Sequence, residues 1–377
     1  MLCNAPAESK LRQRTADTQC IDATTITAPA GHWRLAWRTP GSAEPYSLLV
    51  DRQALAAVLL LLVALIAASL AYLALGSSPL PLPAVLPALV GRGDMMVVFL
   101  VQELRLPRLA AAWLTGAAFG VAGCLMQTLA RNRLATPGII GIDNGATAFA
   151  VASVVGLGVS LAPPAMALVG AATAAALTFG LAAGGGTRGY RFIVAGIGVG
   201  AVFGAITQLL LAQVHIDTAN AAYPWTVGSL NSRPAGAVML LGIGLAFGLA
   251  AALWLTRALA LMRFSDAVAS GLGLRITQRR WQVLGVSVLL TGLAVAAAGP
   301  VGLVGLIGPE IARSLSSPRG VPIMASALSG ALVMVLADLA GRMLLSPIEI
   351  PVGIVTAVVG GPWLLWILLR PASRNLA

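Results

Sequence analysis

Residues 54–75 read ALAAVLLLLVALIAASLAYLAL, 22 positions without one charged side chain. A helix of about 20 apolar residues crosses the roughly 30 Å hydrocarbon layer of a bilayer, so this run is long enough to span a membrane. Asp51 and Arg52 stand just before it, and Arg52 marks its inner end. The rest of the chain resembles this run: of 377 residues 58% are hydrophobic and 10% charged, and the mean hydropathy is +0.89. Such a composition lies outside the range of soluble globular domains. The 42 glycines against 5% aromatic residues suit helices that pack backbone to backbone in lipid.

Further apolar runs follow at about 107–129, 139–158, 162–183, 192–213, 236–258, 281–298, 301–315, 321–345 and 351–369. With the first they predict ten crossings and an all-α polytopic membrane fold, in which 139–158 and 301–315 are short or glycine-interrupted. Residues 1–52 are polar and irregular, with Lys10, Arg12, Arg14, Arg34 and Arg38 scattered among Thr, Ala and Pro. They are expected to form a disordered cytoplasmic tail without a signal-peptide core. Residues 53–370 form the membrane domain, with an inner loop near 259–280, and 371–377 a cytoplasmic C-terminus. Cys3, Cys20 and Cys124 make no ligand-spaced set and His32 and His215 sit alone, so neither a disulfide framework nor a metal site is indicated.

Loop charge supports the ten-crossing count. Starting inside, 19 of the 24 basic residues fall on inner segments, including Arg131, Arg133, Arg188, Arg191, Arg313, Arg319, Arg370, Arg374 and five between Arg257 and Arg280. Arg92, Arg105, Arg108, Arg233 and Arg342 are left outside. An arginine at mid-bilayer costs about 2.5–3.5 kcal/mol on insertion scales, and cytoplasmic loops gather positive charge. The same sorting accounts for the net charge of +11 without nucleic acid, for which no basic recognition helix or aromatic platform is present. Small residues recur at helical spacing at Gly116/Gly120, Gly196/Gly200/Gly204 and Gly244/Gly248, which predicts close helix contacts on those faces.

Residues for catalysis are missing. A nucleotide-hydrolysing loop needs a lysine after its glycines, and the one lysine is Lys10. The clusters Gly184–Gly186 and Gly196–Gly200 match no dinucleotide fingerprint and read as turn and packing glycines. No Ser/His/Asp set or carboxylate pair is in register. Energy must then come from a gradient or from a partner. Gradient-driven carriers keep acidic or histidine residues at mid-membrane; here the acidic residues in or beside the spans are Asp143, Glu310 and Asp338. Asp338 precedes Arg342 at i,i+4 and Glu310 precedes Arg313 at i,i+3, spacings that predict ion pairs along one helix. A partner needs a docking element. The longest inner loop, 256–280, carries Arg257, Arg263, Arg275, Arg279 and Arg280, and its middle, Ser265-Asp266-Ala267-Val268-Ala269-Ser270-Gly271-Leu272-Gly273, predicts a short helix capped by Ser265 and ended by glycine.

Several stretches together resemble one family. Arg105-Leu106-Pro107-Arg108, Gly116-Ala117-Ala118 and the run from Gly123 through Gln127, Arg131-Asn132-Arg133-Leu134-Ala135 and Pro137 to Gly141 are similar to the signature of the FecCD/BtuC permeases. Trp225 to Asn231 (WTVGSLN), Ala298 to Arg313, Ala337-Asp338-Leu339 and Glu349 to Thr356 follow in family order. The resemblance covers about 55 to 370. Two positions depart from the common form: Arg133 where proline is usual and Glu310 where histidine is usual.

The resemblance implies a type II ABC importer permease in the bacterial inner membrane. Both termini would be cytoplasmic, the second permease subunit would be a copy or a relative, two cytoplasmic ATP-binding subunits would sit below and a periplasmic substrate-binding protein above. The cargo implied is a ferric siderophore, favoured by WTVGSLN, with cobalamin or haem as the alternative; a gradient-driven secondary transporter is the alternative of another class. The resemblance further implies an ATPase-coupling element at Arg263, Ser265, Asp266, Ala267, Val268, Ser270, Gly271, Leu272 and Gly273, and binding-protein docking by Arg105, Arg108 and Arg342. A translocation path past Gln127, Asn144, Gly196, Gly200, Gly204 and Gln208 completes the expectations. No cofactor is implied.

Overall fold

The computed structural model describes residues 31–37, 46–76, 78–156, 161–182, 190–317, 320–346 and 348–369. Residues 1–30, Arg38, Arg188, Arg319, Arg370, the 371–377 terminus and the Gly184–Gly186 cluster lie outside them, so the tail and part of the charge sorting do too. The chain divides between Leu55 and Ala56 into two units.

In the first unit, part of the segment expected to be irregular is ordered. Strands β1 (His32–Trp37) and β2 (Tyr46–Asp51) pair antiparallel. Both are rich in aromatic and aliphatic residues at alternate positions, the period that suits a strand. Asp51 ends β2 and caps the next helix, its carboxylate accepting from the Gln53 and Ala54 amides at 2.9 and 3.3 Å.

Among the described residues, seven helices are long and apolar enough to cross a membrane. They are α1 (Arg52–Ala74), α3 (Met95–Ala130), α5 (Pro163–Leu181), α6 (Tyr190–Ala212), α8 (Ala235–Trp254), α11 (Ile276–Ala298) and α13 (Ile323–Met343). Three shorter ones, α4 (Ile142–Val155), α12 (Val304–Leu315) and α14 (Val352–Leu369), complete a one-for-one match with the ten apolar runs. Helices α2 (Leu82–Leu89), α7 (Ile216–Val227), α9 (Thr256–Met262) and α10 (Asp266–Gly271) lie between them. Of these only α10 is announced by the sequence; α2 and α7 are too short to register as spans.

Helix α3 is the centre of the bundle. In its most apolar window 78% is buried, against 17% in α8 and 28% in α1. Helices hydrophobic all round are expected where lipid replaces water: α1 buries Ala57, Leu61, Leu65 and Tyr72 while exposing Leu59, Leu60, Val63 and Ile66. The α3–α13 contact follows the glycine spacing, because a Cβ on Gly116 or Gly120 would collide with the Gly330 or Ser326 carbonyl. Gly123 meets the Gly305 backbone of α12 in the same way. Gly244 and Gly248 accept Leu293 and Leu290 of α11, and Gly196 lies against Ile139. Gly204, expected on the same packed face, has nothing within 4 Å of where its Cβ would be.

Two breaks shape the bundle. A π-turn at Leu100–Arg105 directly precedes Pro107 in α3. A proline ring clashes with the carbonyl four residues back, and a widened turn is a common way to relieve it. The RLPR stretch, whose two arginines the charge sorting leaves outside, is part of one continuous helix. Between α11 and α12 the chain unwinds at Gly299–Leu303, with Gly299 at φ +80°, so α12 is half the length of its neighbour.

Candidate functional site

Arg108 and Arg342, two of the arginines expected outside, flank one carboxylate. Asp338 is 1% exposed in α13 and accepts from Arg108 Nε and Nη2 of α3, both at 2.9 Å. The Tyr72 hydroxyl of α1 donates to it at 2.6 Å. Arg108 Nη1 also reaches Glu349 at 2.8 Å. Arg342, the predicted helical partner, pairs with Asp338 at 3.8 Å and also lies over the Tyr72 ring at 4.0 Å. A bidentate arginine–carboxylate pair is the stronger geometry, so the main partner of Asp338 is Arg108, 230 residues earlier. Nothing in the local spacing could have signalled this, and Tyr72 was not singled out at all.

Arg105 departs furthest from its expected role. It is 6% exposed and donates to the Leu73 and Ser78 carbonyls, which belong to the end of α1 and the turn after it. Those carbonyls have no partner within the helix, and the π-turn rotates Arg105 inward to meet them. As placed, it presents no outward charge to a docking protein.

The WTVGSLN stretch is a joint. Gly228 sits at φ +80°, and a Cβ there would collide with the Pro300 carbonyl. The Ser229 amide donates to Ala298 O at 2.7 Å and the Gly353 amide to Gly228 O at 3.2 Å, so the ends of α7, α11 and α14 meet here. Arg233 holds the joint, donating to Ser229 O at 2.7 Å and Pro224 O at 3.2 Å with its guanidinium 4.2 Å from the Trp225 ring. Burial pushes this arginine down to about 10, so it is charged at neutral pH. A cavity of about 600 Å3 opens between this joint and the Arg105–Arg108 turn.

The expected path residues divide into separate groups. Asn144 of α4 is exposed and its Nδ2 lies 3.0 Å from where a Cβ on Gly200 would be. Gly196 and Gly200 are buried against the turn 137–141 and α4, whereas Gly204 and Gln208 lie on an open stretch of α6. Gln127 is elsewhere, 3% exposed in α3, with its amide 3.5 Å from Leu306 O. It borders a cavity of about 280 Å3 together with Arg131, Arg133, Arg263 and Arg313. In the first turn of α4, Asp143 Oδ1 is buried without a hydrogen-bond partner, and Oδ2 would stand 2.7 Å from a Cβ on Gly138.

Helix α10 forms as the sequence predicts. Ser265 accepts from the Val268 amide at 3.4 Å, and the helix closes with Gly273 at φ +83° and the Leu274 amide bonded to Ala269 O. Asp266 joins Arg131 at 3.1 Å and Arg280 at 2.5 Å, tying α10 to the end of α3 and the start of α11. Ala269 is buried, but Phe264, Val268 and Leu272 are 57%, 48% and 61% exposed, and Ala267, Ser270 and Gly271 share that open surface. Arg263 donates to Gly320 O at 3.4 Å. Nearby, Arg133 Nη1 lies 3.4 Å from Glu310, with Arg313 at 3.6 Å on the other carboxylate oxygen.

The profile of the FecCD transport family matches residues 60–370. The ferric enterobactin transport system permease protein FepG of Escherichia coli is 34% identical over 86% of this chain and 99% of its own length. The achromobactin transport system permease protein CbrC of Dickeya dadantii is 36% identical over 89% and 96%, and the Fe(3+)-citrate import system permease protein YfmE of Bacillus subtilis 35% over 86% and 98%. A solved structure of a metal-chelate type ABC transporter in an inward-facing conformation superposes with a TM-score of 0.73, covering 84% of this chain and all of its own at 24% identity.

Proposed function

This chain belongs to the FecCD transport family, and on that premise we propose that it is the membrane-spanning subunit of an importer that carries a ferric siderophore from periplasm to cytoplasm. It is a multi-pass membrane protein. Energy comes from ATP hydrolysed on two cytoplasmic partner subunits, and cargo from a periplasmic binding protein. A second permease subunit closes the path, and both termini lie in the cytoplasm of a bacterium whose inner membrane holds the complex.

The observation that carries this reading is α10. A capped helix, fixed by Asp266 to two other elements and leaving Phe264, Val268 and Leu272 exposed among the described residues, offers an apolar docking face. ATP-driven closure below would move it as a unit with α3 and α11, and α6, whose Gly204–Gln208 stretch is open, would shift along the path. Docking of the binding protein falls at the opposite end. There the exposed Arg92 and Glu349 would meet it, with Arg108 and Arg342 held behind them and Arg105 bracing the turn. Exposed ion pairs are each worth about 0–1 kcal/mol, so they would orient the encounter more than hold it.

Uptake of iron-55 chelates by cells carrying or lacking this chain tests the proposal, with catecholate, hydroxamate and citrate complexes beside haem and cobalamin. Uptake of a ferric chelate should require both the chain and an intact catalytic site in the partner ATPase. Uptake that survives loss of ATP hydrolysis but collapses with the proton gradient would overturn it in favour of a secondary transporter.

A further inference from the structure

The cavity of about 280 Å3 beside Gln127 has walls of one charge. Arg131 and Arg133 follow α3, Arg263 precedes α10, Arg313 stands in the last turn of α12, and all four line it. No acidic side chain is among the described residues of the lining. The carboxylates that these arginines reach are shared, Asp266 between Arg131 and Arg280 and Glu310 between Arg133 and Arg313. Four arginines against two carboxylates leave two positive charges before Arg263 is added, more than the roughly half negative charge that the C-terminal end of each of α3 and α12 brings. Arg313 also stands under the like charges of Arg133 and Arg263. A cleft lined by one sign of charge concentrates the opposite ion.

A second feature narrows the ligand. Gln127 lines the same cavity, is 3% exposed, and its Oε1 has no hydrogen-bond partner. A buried acceptor left unpaired costs about 1–3 kcal/mol, and an O–H from a ligand would satisfy it. Guanidinium forks match the O–P–O edge of a phosphate group with two parallel bonds. An ionised carboxylate from a partner protein would also pair with them, but it brings no O–H to Gln127. Pockets for drug-sized ligands begin at about 300 Å3, so an ion or a single headgroup fills this one and a whole nucleotide does not. We propose that the cavity binds a phosphate group accompanied by a hydroxyl, as hydrogen phosphate or as the glycerol phosphate headgroup of an anionic lipid. Bound there, it ties the end of α3 to α12 and to the turn before α10.

The test uses the full chain in nanodiscs, in chloride buffer of fixed ionic strength. If the free ion is the ligand, phosphorus-32 orthophosphate binds saturably in discs of pure phosphatidylcholine, measured by equilibrium dialysis. If the headgroup is, discs doped with phosphatidylglycerol yield a chain that retains this lipid in native mass spectrometry and binds no orthophosphate. Arg133→Gln with Arg263→Gln, both exposed side chains, should weaken whichever probe binds by about tenfold or more, with the melting temperature little changed. Arg92→Gln with Arg275→Gln, exposed arginines outside the lining, removes the same charge and should leave binding as it was. A wild-type chain that binds neither probe would overturn the proposal, and so would equal weakening in the two double variants. If neither probe binds and the Arg133–Arg263 variant loses its co-purifying ATP-binding subunits, a carboxylate of that partner fills the cavity in place of phosphate.

Discussion

Arg108 and Asp338 join the two most intimately packed helices of the bundle, α3 and α13, by a pair of 2.9 Å hydrogen bonds, while Arg342, one turn from Asp338 on its own helix, remains at 3.8 Å. Removing one member of a buried pair leaves an uncompensated charge, at a cost of about 3–5 kcal/mol. Asp338→Ala and Arg108→Ala should each lower the melting temperature in detergent strongly and non-additively, and Arg342→Ala much less. If Arg342→Ala proved as damaging as Arg108→Ala, the helical pair would be the real one. Arg105→Ala should also act through stability, leaving binding-protein affinity unchanged once the folded fraction is corrected.

Arg133 and Glu310 lie 3.4 Å apart. Arg133 is 69% exposed in its side chain, so the pair should be worth about 0–1 kcal/mol. A double-mutant cycle with Arg133→Pro and Glu310→His should give a small positive coupling in thermal stability. A coupling of zero would mean the two side chains are independent.

Helix α10 allows folding and the proposed ATPase docking to be tested separately. Ser265→Ala removes a helix cap and should cost about 1 kcal/mol. Val268→Asp and Leu272→Asp alter exposed positions and should leave the melting temperature in place. Both should abolish co-purification of the ATPase and with it uptake. Normal co-purification would remove α10 from the interface.

Glycine positions that look alike in sequence should behave differently. Gly123→Ala meets the Gly305 backbone, and overpacking of that kind costs about 1–3 kcal/mol. Gly204→Ala enters open space and should be neutral for stability, its effect confined to the uptake rate. Equal destabilisation of the two would contradict the packing described.

Asp143 discriminates between energy sources. Its buried, unpartnered oxygen is what a proton-coupled carrier would use. In an ATP-driven importer, Asp143→Asn should retain uptake with an unchanged pH profile from mildly acidic to mildly alkaline medium. Loss of uptake together with loss of its pH dependence would favour the gradient reading.

Sequence alone determined the ten apolar runs, their order, the capped α10 helix in the 256–280 loop and the family, because each rests on local composition, spacing or an ordered motif. Lipid solvation and helix capping act on neighbours along the chain and are therefore legible in it. The partner of Asp338, the inward turn of Arg105, the clamp that Arg233 places on the Gly228 joint and the meeting of Arg133 with Glu310 were decided only by the tertiary structure. Apart from the Arg233 clamp, whose bonds to Ser229 and Pro224 are local, each joins residues dozens to hundreds of positions apart, and a hydrogen bond a few ångströms long depends on how helices cross. The open setting of Gly204 beside the buried Gly196 and Gly200 belongs to the same class: spacing places all three on one helix face, and only the neighbouring backbone decides where that face stops being covered.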